Sequence, residues 1–291
     1  MAQTLTETQI WQALAVRPAD SHKGSYGRTL AVAGSTRYRG AAALATEGLL
    51  RGGAGLVTLA TVEAAAAAVL PRLPEAMILP CRTDEAGGIH SWELPQLLDA
   101  LYGCSALLMG PGLGNTHSTA ALVAGLVPAA RCPVVLDADA LNTAAEMDTL
   151  PHPEQGALIL TPHPREMARL CGCSAAEVQA HREEAACGYA QAHHCVLVLK
   201  GHHTLIAGPD GCCVENPTGN PGLARGGSGD VLAGLIAAFA AQGVPAFWAA
   251  AAAVYLHGAA ADACAARLGQ YGMLPHDLFE DLGRIFAQNQ R

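Results

Sequence analysis

Residues 226–230, Gly-Gly-Ser-Gly-Asp, lead straight into an apolar series, 231–239, at helical spacing. Successive glycines let backbone N–H groups turn toward one point. A helix beginning there adds the positive end of its dipole, and together these favour an anion. A carboxylate at that junction, Asp230, can take the proton of a hydroxyl that attacks a phosphate. The simpler reading is an acidic residue that serves the helix dipole and nothing else. That reading needs one glycine for the turn, and three stand here. No G-x-x-x-x-G-K-[ST] occurs anywhere, so this is not a P-loop.

Other candidates carry competing readings. In 160–170 (LTPHPREMARL) a proline marks a helix entry and Glu166 falls in its first turn, so His163 and Glu166 can face one ligand. A helix start with a favourable acid explains the same residues. Lys200 is one of only two lysines and ends an apolar run, where it can meet a phosphate as a point charge. An ordinary surface lysine is the alternative. The stretch 110–115 (GPGLGN) is half of a dinucleotide fingerprint; lacking the full G-x-G-x-x-G, it reads as a tight strand-to-helix turn. Cys171, Cys173, His193, His194, Cys195, His202, His203, Cys212 and Cys213 suggest zinc, but none has C-x-x-C or H-x-x-x-H spacing. Cysteines filling an alanine-rich core are the better reading.

The elements that must position these residues are short apolar runs alternating with helical patterns. Strands are expected at 29–35, 55–61, 106–110, 133–139, 157–163 and 195–201, and helices at 40–51 and 62–70. Each run is apolar on both faces, as strands covered on both sides are. Alternation of this kind implies an α/β fold with a mostly parallel sheet and helices on both faces. Ligands in such sheets bind beyond the carboxyl ends of the strands. Gly34, Gly110–Gly114, Asp137, Asp139, His163 and Lys200 all fall there. A late hairpin is expected over 204–215, turning at Pro209-Asp210-Gly211. The whole chain, 1–291, reads as one domain.

Composition narrows the class. With 51% hydrophobic and 14% charged residues, a large core is easily buried. A net charge of −8 argues against nucleic acid held through phosphate contacts. The ten cysteines form no regular framework and the start lacks a secretory pattern, so a cytoplasmic protein with reduced thiols is expected. The apolar stretch 231–268 is broken by Gln242, Gly243 and Pro245, and reads as two buried helices, not a membrane span.

In order and combination, HKGSYGRTLAVAGS, RGAAALA, GAGLVTLAT, LPEAM, MGPGLG, LDADALN, LTPHPREM, VLKGHHTLI and NPTGNPGLARGGSGDVLAG resemble one family, the ADP-dependent NAD(P)H-hydrate dehydratases, over nearly the whole chain. The resemblance implies a ribokinase-like fold, hydrated NADH or NADPH as substrate, ADP as co-substrate, Mg²⁺ as cofactor and a homo-oligomer, tetrameric in the family. It implies that Lys200, Gly201, His202, His203, Thr204 and Gly229 contact the adenine nucleotide. Ala41, Gly112, His163 and Asp230 would line the hydrated nicotinamide nucleotide, with Asp230 as catalytic base. Glu166 would help to place Mg²⁺ through water. Related vitamin kinases carry N-x-x-E where this chain reads His163-Pro164-Arg165-Glu166, which favours the dehydratase. Many members carry a fused N-terminal epimerase domain; this chain begins at the dehydratase region, so epimerase activity is expected to be absent.

Overall fold

The computed structural model describes residues 2–289; the ends of the expected 1–291 domain lie outside them. Ten strands form one sheet: β1 (Gln3–Thr4), β2 (Arg28–Val32), β3 (Leu56–Val62), β4 (Met77–Cys81), β5 (Ala106–Met109), β6 (Val134–Leu136), β7 (Leu158–Leu160), β8 (Val196–Leu199), β9 (Leu205–Ala207) and β10 (Cys213–Glu215). Their order is β1-β10-β9-β8-β7-β6-β5-β2-β3-β4. Every pairing is parallel except β8–β9 and β9–β10, the expected hairpin. Its turn closes by Gly208 N–H to Cys212 O at 2.8 Å, and the Asp210 carboxylate accepts from Cys212 N–H at 3.0 Å.

β5 to β8 are buried along their whole lengths. Helices cover both faces, so apolar side chains are needed on both sides of each strand, which is why these runs do not alternate. Five of the six expected strands stop short of their predicted ends because Gly34, Gly110, Asp137, His163 and Lys200 leave the ladder and turn outward as loops, whereas the strand expected at 55–61 runs one residue further, to Val62. Two strands have no counterpart in the expectations, β1 and β4. Both are sheet edges, where a two-sided apolar run is not required. Edge position also explains why β4 tolerates Pro80.

The expected pair of helices is Ser228–Ala241 and Ala246–Gly272, separated at Gly243, which sits at φ 84°. The longer one is apolar enough to cross a membrane by length and hydropathy alone, yet 67% of its apolar window is buried inside the fold. Helix Ser228–Ala241 packs on helix Arg39–Arg51 and over β5, β6 and β2. The two helices meet backbone to backbone: a Cβ on Gly234 would stand 2.3 Å from Ala45 O, and one on Gly48 2.7 Å from Val231 O. This close seat fixes where the first turn of helix Ser228–Ala241, with Asp230, meets the carboxyl edge of the sheet.

Candidate active site

β2 is flanked by β3 on one side and β5 on the other, so the chain leaves β2 and β5 in opposite directions. A crevice opens at such a switch point. Its floor is stitched by Gly34 N–H to Pro111 O at 2.8 Å. Gly112, at φ 65°, leaves no room for a side chain, because a Cβ would lie 2.7 Å from Tyr38 Cβ and 2.9 Å from Ala41 Cβ. Ala41, in the first turn of helix Arg39–Arg51, and Gly112 therefore form one continuous wall, with Tyr38 45% exposed at its rim.

Ionisable groups gather a few strands away, beyond β6, β7 and β8. Lys200 Nζ donates to Asp137 Oδ1 at 2.7 Å and stands 3.8 Å from Glu166 Oε2. The Thr161 hydroxyl donates to the same Asp137 oxygen at 2.7 Å. Asp137 is 2% exposed and Glu166 5%. A Cβ on Gly229 would sit 3.3 Å from Lys200 Nζ, so the glycine turn and the lysine are in contact. Burial works against the charged ammonium, but Asp137, Glu166 and Asp230 together outweigh it and hold the Lys200 pKa above its usual range. Asp230 is pushed up to about 7, chiefly by burial and then by Asp137, with Lys200 pulling the other way. It therefore stands at the balance between acid and base near neutral pH, where a general base is most useful.

His163 and Glu166 are joined in a reciprocal cap of helix Pro164–Cys171. His163 Nδ1 accepts from the N–H groups of Arg165 at 3.1 Å and Glu166 at 3.2 Å, and Glu166 Oε2 accepts from His163 N–H at 2.8 Å. The helix-start reading and the functional reading thus describe the same residues, since this cap also puts Glu166 against Lys200. Burial, then the Lys200 charge, lowers the His163 pKa, so a neutral ring faces the cluster.

Lys200, Gly229, Asp230, His163 and Glu166 come together; the rest of the expected nucleotide residues form a separate turn. Gly201–Thr204 connects β8 to β9, with the Thr204 hydroxyl donating to Gly201 O at 2.9 Å and His203 paired to Glu215 at 2.8 Å. Arg182 secures this turn from below, donating to Leu199 O at 3.1 Å. The loop that precedes the glycine cluster is tied to helix Ala246–Gly272: Asp262 accepts from Gly219 N–H and from the Asn220 amide, each at 2.9 Å.

Three members of this constellation have no assigned role in the sequence reading. Asp137 was visible there only as a strand end; the signal was two acids, Asp137 and Asp139, closing a fully apolar run. Asp139 accepts from Gly114 N–H at 2.8 Å and so braces the loop after β5; burial raises its pKa. His257 is 7% exposed, with its Nε2 unpartnered, and burial followed by the Lys200 charge drives its pKa down to about 4. On an alanine-rich helix nothing in the sequence singles it out. Among the described residues no group of three or more His, Cys, Asp or Glu side chains is arranged to hold a metal ion.

The family model described as NAD(P)H-hydrate dehydratase matches residues 29–284. The bifunctional NAD(P)H-hydrate repair enzyme of Moorella thermoacetica is 46% identical over 91% of this chain, which spans 50% of that protein. The chain thus covers about half the length of the curated bifunctional relatives it matches. The ADP-dependent (S)-NAD(P)H-hydrate dehydratase of Bacillus subtilis is 39% identical over 97% of both chains. A crystal structure of the B. subtilis ADP/ATP-dependent NAD(P)H-hydrate dehydratase, grown with ATP and Mg²⁺, superposes with a TM-score of 0.87 at 37% identity, covering 99% of this chain and 98% of that one. The architecture is ribokinase-like. The chain belongs to the NAD(P)H-hydrate dehydratase family.

Proposed function

We propose that this member of the family is a hydro-lyase that dehydrates hydrated NADH and NADPH at the expense of ADP, releasing AMP and phosphate. The observation that carries the reading is one carboxylate, Asp230, drawn up to about 7 in the first turn behind a glycine-rich loop and beside the Lys200 ammonium. Hydroxide is a poor leaving group, so the ring hydroxyl must first become a phosphate ester. Asp230 takes the hydroxyl proton as the oxygen bonds to the β-phosphorus of ADP; the bond from that phosphorus to its bridging oxygen breaks and AMP leaves. The ring-nitrogen lone pair then expels phosphate, and loss of a neighbouring ring proton restores the double bond. Backbone N–H groups of 226–229 are suited to the charge that develops in the transfer.

Ala41, Gly112 and His163 line the hydrated nicotinamide nucleotide in this reading, and 200–204 with Gly229 hold the adenine nucleotide. The residues present fit a Mg²⁺ ion carried mainly by substrate phosphates: Glu166 lies in the charged cluster, 3.8 Å from Lys200 Nζ, and Mg²⁺ commonly takes one or two carboxylates, phosphates and water. Glu166 would approach it through water; the bound ion neutralises phosphate charge. A cytoplasmic homo-oligomer completes the proposal.

Incubating the protein with hydrated NADH, ADP and Mg²⁺ while following the reduced-nicotinamide absorbance band tests it. Recovery of the band that requires nucleotide supports a dehydratase. Nucleotide consumption with no recovery, ending at a phosphorylated product, would identify a small-molecule kinase instead.

A further inference from the structure

Asp137 occupies the N-cap position of helix Ala138–Ala145, yet its side chain makes no cap bond. It turns instead toward β7 and β8, where one oxygen accepts from both the Thr161 hydroxyl and the Lys200 ammonium. The backbone around it is committed to that direction. Ala138 follows in the left-handed region at φ 50°, a conformation unfavourable for a non-glycine residue that persists only where its surroundings impose it. Gly110 admits the Asp137 carbonyl so closely that a Cβ there would stand 1.8 Å from it. The other carboxylate oxygen, Oδ2, lies 3.9 Å from the point where a Gly229 Cβ would be.

The consequence falls on Lys200. A free lysine at a strand end would have four rotatable side-chain bonds and a wide choice of positions. Here the ammonium is fixed over Gly229, one residue before Asp230. Three carboxylates, Asp137, Glu166 and Asp230, act on this single cation, so an entering phosphate meets a net negative centre unless the one positive charge is held where the transferred group passes. Asp137 is the partner with the short contact. Resting on the dehydratase reading, we propose that Asp137 is a positioning residue: it acts through Lys200, holding the ammonium at the entrance of helix Ser228–Ala241 for phosphoryl transfer.

The test compares Asp137→Asn, Lys200→Met, the double variant and Thr161→Val in the ADP-driven recovery of reduced nicotinamide from hydrated NADH. Asp137→Asn keeps size and the ability to accept from Thr161 but removes the charge. Expected is a kcat loss of ~10²-fold, the scale of losing one preorganised electrostatic contact, with KM for ADP and for the hydrate moving less than about threefold. The double variant should be no slower than Lys200→Met alone, because both changes act through one ammonium. Thr161→Val should give a smaller kcat loss of the same kind. Multiplying losses in the double variant, or an unchanged kcat in Asp137→Asn, overturns the proposal. Should Asp137→Asn fail to fold, Thr161→Val decides: unchanged kcat refutes, a selective kcat loss supports. Absence of ADP-dependent recovery in the wild-type protein would instead remove the dehydratase reading beneath it.

Discussion

Two regions share the carboxyl edge of this sheet and are built from opposite materials. At the β2–β5 switch point the wall is made of what is missing: Gly112 and Ala41 meet so closely that one added carbon on Gly112 would collide with Tyr38. Beyond β6, β7 and β8 the site is made of charge, with Asp137, Glu166 and Asp230 acting on the one ammonium, that of Lys200. In the proposed function the first region would select by shape, at no electrostatic cost. The second holds a buried carboxylate at a pKa near neutrality, which a folded protein tolerates only when neighbours compensate. Substitutions should therefore fail differently in the two places: chemistry and stability in the charged cluster, fit in the glycine wall.

The largest effect is expected at Asp230. Asp230→Asn keeps the shape and removes the proposed base, a loss that commonly costs about 10²–10⁴-fold in turnover. ADP affinity by calorimetry should be retained, and near wild-type turnover would move the chemistry elsewhere. Lys200→Ala comes next. It leaves Asp137 buried without its cation, and breaking a buried pair costs about 3–5 kcal/mol, so urea unfolding should shift by that order; Asp137→Asn added to it should recover part of the loss. In the glycine wall, Gly112→Ala should raise KM for the hydrate and lower kcat/KM roughly tenfold, with ADP affinity unchanged. An equal loss for both ligands would erase the distinction between the regions.

The smallest effect runs against intuition. The folded-state pKa of Asp230, about 7, lies above the value near 3.9 of an unfolded aspartate. The folded state holds the proton more tightly, so stability falls as pH rises through that window, and the full cost is present above about 7. Asp230→Asn removes the cost. The inactive variant should be more stable than wild type by about 1–3 kcal/mol at pH near 8 and no more stable near pH 3.5, which thermal unfolding at the two pH values checks.

The same contrast separates what the sequence discloses from what it withholds. Interior strands were legible because a parallel strand buried on both faces must be a continuous apolar run; the edges β1 and β4 escaped because they are free of that demand. In the charged cluster, Asp230, Lys200, His163 and Glu166 could be named, since a polar group closing an apolar run or opening a helix announces itself. Their mutual arrangement could not. Lys200 reads from sequence as a phosphate contact, and only packing across β6 and β8 reveals Asp137 as its partner, 63 positions away. Ala41 entered only through the family resemblance, and Gly112, legible as part of a strand-end glycine turn, gained its role only there, because a wall defined by absent side chains has no composition to read. His257, 7% exposed within an alanine-rich helix, gave no signal.

The central claim is that Asp230, poised by burial and then by its charged neighbours, is the base of an ADP-driven dehydration. The most direct test is kcat/KM for ADP-dependent recovery of reduced nicotinamide from hydrated NADH, measured from pH about 5 to about 9 in wild type and Asp230→Asn. The account predicts a wild-type rate that rises with pH through a midpoint near 7, and a residual rate in the variant that lacks this ascending limb. A flat wild-type profile, or the same limb retained in Asp230→Asn, would contradict it.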